Sequence, residues 1–242
     1  MATVQEHYER HLGSVYTWMG GDWQAVIERN RAELCALGLA VSDHGVALDL
    51  GAGPGGYTIP LAQAGYTTLA LDTCTPLVAE LRARTAGLPI RVIQDDLLSF
   101  RQYAEKAAII LCMGDTLTHL PVQEAVRRLL RDVAATLDSP GLFCATFRDY
   151  YATELQGAAR FIAVRSDEQR ILTCFLEYAA DHVQVYDVLQ EQKETGWQLS
   201  VSDYPKLRLD PAWVSSELAA HGLNVQQDKT KSGMVRVIAR AG

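Results

Sequence analysis

The chain has 242 residues, 48% of them apolar or aromatic and 21% charged, with a formal net charge of −7. That length buries a sizeable core and that composition leaves no disordered tract, while the acidic balance argues against a nucleic-acid backbone as partner. Five cysteines without paired spacing fit a reduced protein better than a disulfide framework or a zinc site. Glu6, Glu9 and Arg10 stand where a secretory leader would be apolar, and no apolar run reaches membrane-spanning length. The expectation is a cytoplasmic protein without membrane or metal site, either monomer or homodimer.

Residues 1–45 read as a helical segment preceding the first strand. "GVALDLGAG" then gives an apolar run from Val46 that stops at glycine, the pattern of a buried parallel strand. Gly55 to Ala64 reads as a helix, Thr67 to Asp72 as a strand, Pro76 to Ala86 as a helix and Ile90 to Asp95 as a strand. Ala107 to Gly114 is a fourth strand, Pro121 to Leu137 a helix, and Gly141 to Phe147 a fifth strand. Strands alternating with helices predict an α/β fold with a doubly wound, mostly parallel sheet.

After Phe147 the rhythm changes. "RFIAV", "QRILTCFLEY", "VQVYDVLQEQ" and "WQLSVS", separated by turn-rich segments, predict an antiparallel meander. Its alternation puts Val183, Val185, Asp187 and Leu189 on one side and Gln184, Tyr186 and Val188 on the other, which implies a sheet with one face buried against the body. Asp210 as N-cap, Pro211 in the first turn and Gly222 past the end frame a last helix. Strands near Leu223 to Gln227 and Met234 to Arg240 close the sheet as a hairpin. The division predicted is a lid segment (1–45), an α/β core (46–150), a β insertion (151–209) and a closing helix and strands (210–242).

"DLGAGPGG" matches G-x-G-x-x-G through Gly51, Gly53 and Gly56, a spacing used for dinucleotides and for other ribose-bearing ligands. In an open α/β sheet the ligand lies at the carboxyl ends of the strands, so this loop forms the floor of the site. A carboxylate at Asp49 would repel a diphosphate and attract an ammonium group. Asp72 ends the second strand where an acid can accept both hydroxyls of a ribose, and Asp96 follows the third strand with the Leu97 backbone beside it, placed for an adenine amino group. Three acids at successive strand ends favour a ribose ligand with a cationic amino-acid tail over a nicotinamide dinucleotide.

Through "LDLGAGPGG", "LALD", "QDDLL" and "IILCMGDTLTHLP" the chain resembles the class I S-adenosylmethionine-dependent methyltransferases over roughly Val46 to Phe147, the last phrase being similar to the fourth-strand region of glycine N-methyltransferase-like enzymes. The resemblance implies a seven-stranded Rossmann-like sheet with an antiparallel final strand and S-adenosyl-L-methionine as cofactor. It also implies a cofactor site made of Asp49, Gly51, Ala52, Gly53, Asp72, Thr73, Asp95, Asp96, Leu97 and Met113, with Trp18 from an N-terminal lid. The implied reaction is methyl transfer to an oxygen or nitrogen of a small-molecule acceptor. An NAD(P)-dependent oxidoreductase and a catalytically silent methyltransferase-like binding subunit are the alternatives.

Methyl transfer is an in-line displacement at an activated carbon, so orientation supplies much of the acceleration, and a base helps only where the acceptor must lose a proton. His119 stands just beyond the fourth strand either as that base or as a residue ordering the loop. Asp115 and Thr116 follow the strand end, near the ligands or simply forming the turn. Arg148 and Tyr150, after the fifth strand, either hold an acceptor, Arg148 by its carboxylate, or form a surface turn. Tyr16 and Trp18 either roof the sulfonium through cation–π attraction or pack the lid onto the sheet.

Overall fold

The computed structural model describes residues 2–39, 45–152 and 154–242; residues 40–44 of the lid segment therefore lie outside the described part. Thr3 opens helix α1 (Val4–His7) with a capping box: its hydroxyl accepts from Glu6 N at 3.1 Å and the Glu6 carboxylate accepts from Thr3 N at 2.9 Å. A π turn (Tyr8–Leu12), a 3₁₀ turn (Gly13–Val15), α2 (Tyr16–Gly20) and α3 (Trp23–Ala36) follow. Gly21, at φ +94°, ends α2, and Asp22 caps α3 by accepting from Ala25 N at 2.7 Å.

The core is a seven-stranded sheet in the order β10-β11-β5-β4-β1-β2-β3. Its parallel strands are β1 (Val46–Leu50), β2 (Thr67–Asp72), β3 (Ile90–Gln94), β4 (Ala107–Cys112) and β5 (Leu137–Phe147), while β11 (Val235–Ala241) runs antiparallel between β5 and β10 (Asn224–Lys229). Alternate residues of one strand enter opposite layers. Leu48, Leu50, Ile110 and Phe143 pack into one cluster with helix α6 (Gln123–Thr136), whereas Ala47, Ile109, Leu111 and Leu142 pack into another with Leu34 and Leu61. Burial on both faces is why these strands read as continuous apolar runs.

Two boundaries in the core differ from the sequence pattern by three residues or more. The helix after the glycine loop, α4, spans Thr58–Gln63, because Gly53 (φ +53°) and Gly55 (φ +97°) adopt left-handed backbone that cannot be helical. Strand β5 starts at Leu137, where that residue pairs with Ala107 before the register shifts. Helix α5 (Thr75–Arg84) follows β2, and α7 (Pro211–Ala220) starts at the Asp210 cap.

The meander forms a second sheet, β6 (Phe161–Ser166), β7 (Arg170–Tyr178), β8 (His182–Lys193) and β9 (Gly196–Leu207), with all neighbours antiparallel. The buried face is that of Val183, Val185, Asp187 and Leu189, which pack against Leu172, Leu176, Tyr204 and the N-terminal turns, while Trp197, Leu199 and Val201 remain exposed on the other face. Gln184 breaks the pattern, because it is buried as well.

The N-terminal segment clamps the two sheets together. Buried His7 hydrogen-bonds Asp187 Oδ2 at 3.0 Å and Ser202 Oγ at 2.8 Å and stacks on Tyr204 at 4.1 Å. Glu9 accepts from Thr75 N at 2.6 Å in the core. At Gly13 the N-terminal segment passes so close to the start of α5 that a Cβ would stand 2.8 Å from Cys74 Sγ.

Candidate active site

A cavity of about 670 Å³ opens where the carboxyl ends of β1 to β4 meet the N-terminal segment and the start of β8 and end of β9. Its volume is that of a small-molecule site.

The floor is the glycine loop. Gly51 N and Ala52 N both donate to Leu71 O at 2.9 Å, folding the chain back over β2. Gly51 has φ +78°, and a Cβ there would lie 2.4 Å from Thr116 Cγ2, so conformation and space both demand glycine. Asp72 locks the loop: Oδ2 accepts from Gly53 N at 2.8 Å and Oδ1 from Cys74 N at 2.9 Å. Burial raises the Asp72 pKa against these amides, which favour the charged form. With Thr73 N as a third amide donor, at least one lone pair of the carboxylate remains, and the residue lines the cavity.

Beside it, Asp95 accepts from Tyr103 OH at 2.6 Å and from Asp96 N at 2.8 Å, and the tyrosine bond, then the amide, hold its carboxyl below the ordinary value. Asp96 caps the 3₁₀ turn at Leu97–Gln102 by accepting from Leu98 N at 2.8 Å. Thr73 and Leu97 line the same wall, and Tyr16 covers the loop with Cε1 3.8 Å from where a Gly53 Cβ would stand. Gly51, Gly53, Asp72, Asp95, Asp96 and Tyr16 thus line one space.

Seven candidates, Asp49, Ala52, Met113, Trp18, Asp115, Arg148 and Tyr150, lie off the cavity wall. Asp49 sits one layer below the loop, 2% exposed, where it accepts from Thr58 Oγ1 at 2.6 Å; burial raises its pKa to about 6 although that bond favours the charged form. Ala52 and Met113 are buried behind the loop among apolar neighbours. Trp18 turns toward the β insertion, donating from Nε1 to Asp167 at 2.5 Å, with the Arg165 and Arg170 guanidiniums each 5.7 Å from its ring. It does not roof the cavity. Arg148 is engaged by Asp115, which accepts from both its backbone N (2.7 Å) and its guanidinium Nη1, and it does not line the cavity. Tyr150 packs with Leu176 and Val185 instead of facing the cavity.

Asp115 is the hub that the sequence pattern leaves open. It adopts φ +78°, is 1% exposed, and also accepts from Lys206 Nζ at 2.9 Å, a lysine itself 6% exposed. Burial opposes both charges, yet Lys206 and Arg148 hold the Asp115 carboxyl well below the usual carboxylate range, and Asp115 pushes Lys206 up to about 12. Lys206 and Gln184 escape a motif reading. Their signal is a lysine two residues after Tyr204 on the inward face of β9, and a glutamine at the mouth of β8.

His119 lines the cavity between Tyr8 and Tyr204, with ring centroids 5.6 and 5.7 Å away, and its buried Nε2 has no partner. Burial and the Lys206 charge lower its pKa to about 3. The imidazole is therefore neutral at physiological pH.

Comparison with known proteins agrees with this geometry. Residues 47–141 match the methyltransferase domain family. A search of the curated proteins finds no match. Among solved structures, an S-adenosylmethionine-dependent methyltransferase from Clostridium acetobutylicum ATCC 824 is similar with a TM-score of 0.74, 16% identity, and coverage of 96% of this chain and 97% of that one. The S-adenosylmethionine-bound amino pentose methyltransferase CalS10 from Micromonospora echinaspora gives a TM-score of 0.73 at 15% identity over 94% and 95% of the two chains. The sugar N-methyltransferase KedS8 from Streptoalloteichus sp. ATCC 53650 gives 0.72 at 15% identity over 93% and 90%. With its seven strands in this order and its last strand pair antiparallel, the chain carries a methyltransferase domain over residues 47–141 in a class I S-adenosylmethionine-dependent methyltransferase fold.

Proposed function

We propose that the protein methylates a nitrogen atom of a small molecule enclosed in the 670 Å³ cavity, with S-adenosylmethionine as methyl donor. The observation that carries this is the shared cavity: one continuous space joins the Gly51–Gly53 floor and the acids Asp72, Asp95 and Asp96 to a wall made by Tyr8, Tyr16, His119 and Gln184.

The residues present fit the donor. Left-handed glycines let its methionine portion approach the backbone, Asp72 offers lone pairs to a ribose, and Asp95, Asp96 and Leu97 border the space for a base. Asp49, one layer below, contributes field rather than contact. The donor supplies a methyl group on an electron-poor sulfonium, so what remains for this chain is positioning, worth up to roughly 7–11 kcal/mol in favourable cases.

Nitrogen is favoured over oxygen by His119. A hydroxyl acceptor must surrender a proton as it attacks, and an imidazole whose pKa is lowered to about 3 is a poor acceptor for it. A neutral amine attacks through its lone pair and releases its proton to water afterwards. CalS10, an amino pentose methyltransferase, and KedS8, a sugar N-methyltransferase, are in keeping with that choice.

The first test is the cofactor. S-adenosylhomocysteine at about 100 times its dissociation constant adds about 2.7 kcal/mol, a melting shift of roughly 5–10 °C for a chain of this size, while NAD adds nothing. A shift with NAD alone would establish a nicotinamide enzyme instead. The second is transfer of labelled methyl groups to paired amine and alcohol acceptors, where labelling of the alcohols only would exclude the nitrogen reading.

A further inference from the structure

We infer that the acceptor is an amine that carries no phosphate or carboxylate, and that Gln184 reads it by accepting an N–H hydrogen bond. This rests on the cavity being the methyl-transfer site, and it names what that site selects.

Charge is the first ground. Four carboxylates, Asp72, Asp95, Asp96 and Asp181, line the cavity, and no lysine or arginine does so among the described residues. The two cations whose charges reach the wall residues Tyr16 and His119 are Lys206 and Arg148, and both are held on Asp115. His119 is neutral, and His182 at the rim is paired with Asp181 at 2.7 Å. An anionic acceptor would give up its hydration for a wall of like charge, with no fork or ammonium to receive it. An amine meets no such repulsion: Asp181 at the rim attracts its protonated form, the proton passes to water there, and the neutral amine attacks the methyl carbon through its lone pair.

Gln184 is the second and independent ground. Its side chain is 6% exposed, and Nε2 donates to Asp203 Oδ2 at 2.6 Å. A carboxylate accepts only, so the amide must turn its nitrogen to Asp203, which fixes the orientation of Oε1. That oxygen is buried and without a partner in a residue that lines the cavity. A buried acceptor left open is a place made for a donor, and an amine N–H supplies one where a phosphate or carboxylate oxygen supplies none.

The test uses matched probes. The full chain, saturated with S-adenosylhomocysteine, is titrated calorimetrically with glucosamine and with glucosamine 1-phosphate, then both titrations are repeated on Gln184→Leu and Asp181→Lys. Glucosamine is expected to bind at least tenfold more tightly than its phosphate. Gln184→Leu should weaken glucosamine at least tenfold while S-adenosylhomocysteine affinity stays within twofold, a readout that also shows the variant folded. Asp181→Lys, at an exposed rim position, should narrow the gap by raising phosphate affinity several-fold. Equal or tighter binding of the phosphate by the unaltered chain, no binding of glucosamine by the loaded chain, or an unchanged Gln184→Leu each overturns the inference and leaves methyl transfer standing. Failure of S-adenosylhomocysteine itself to bind removes the underlying reading instead.

Discussion

Asp115 and Lys206 stand 91 residues apart in sequence and 2.9 Å apart in space, both buried, joining the loop after β4 to strand β9 of the insertion. Arg148, on the same carboxylate but largely exposed, adds the end of β5 to the junction. One carboxylate therefore fixes how the second sheet is seated over the first.

Removing that carboxylate strands a buried ammonium. Asp115→Ala is expected to lower stability by about 3–5 kcal/mol, as for other broken buried pairs, and Lys206→Met by less, because Arg148 still faces Asp115. Urea unfolding of the three proteins checks the order. The pH dependence has a definite sign: the Asp115 pKa is depressed in the folded chain, so its contribution is present above the unfolded value of about 3.9 and is lost as pH falls below it. Asp115→Asn should flatten the acid limb of the melting curve.

Asp49 has the opposite sign. With its folded pKa raised to about 6, its contribution is full below about pH 4 and is lost as pH rises through 6, a change on the order of 3 kcal/mol. Asp49→Asn keeps an acceptor for Thr58 without the charge. Unliganded Asp49→Asn should therefore hold its melting temperature between pH 4 and 7 where the unaltered chain declines; parallel curves would show that Asp49 does not titrate in that range.

Asp72→Ala removes a charged acceptor from the cavity wall, and bonds of that kind contribute about 1.5–3 kcal/mol each. Calorimetry with S-adenosylhomocysteine should show affinity at least tenfold weaker. Unchanged affinity would place the ribose elsewhere.

Trp18→Leu should leave S-adenosylhomocysteine affinity within twofold, because the indole is committed to Asp167 and faces the insertion. A tenfold loss would mean that the lid rearranges to bring Trp18 over the ligand.

His119→Asn tests whether the imidazole handles protons. Since His119 stays neutral down to about pH 3, the variant should lower kcat/KM without altering the shape of its pH profile between 5 and 9. Disappearance of a limb near neutrality would make His119 a titrating base.

The floor of the site was legible because its geometry is local. Gly51, Gly53 and Asp72 belong to one strand–loop–strand unit, where spacing along the chain nearly dictates spacing in space. The wall was not, because Trp18 finds its partner 149 residues away and Asp115 finds Lys206 in another sheet. Nothing near Arg148 in sequence announces that Asp115 will occupy it. The helix boundary at Thr58 was missed for a subtler reason: helical spacing extends back to Gly55, but two left-handed glycines interrupt the backbone before it.

The cavity's floor comes from residues of β1 to β3 and their loops, whereas much of its roof comes from the first sixteen residues and the paired ends of β8 and β9. Exchanges on β8 and β9 leave the left-handed backbone at Gly51 and Gly53 untouched. Such a chain can trade one acceptor for another during divergence while its donor stays the same, and a chimera that grafts residues 161–207 of a relative onto this core would inherit the relative's acceptor preference, provided Asp115 still meets a lysine at the graft.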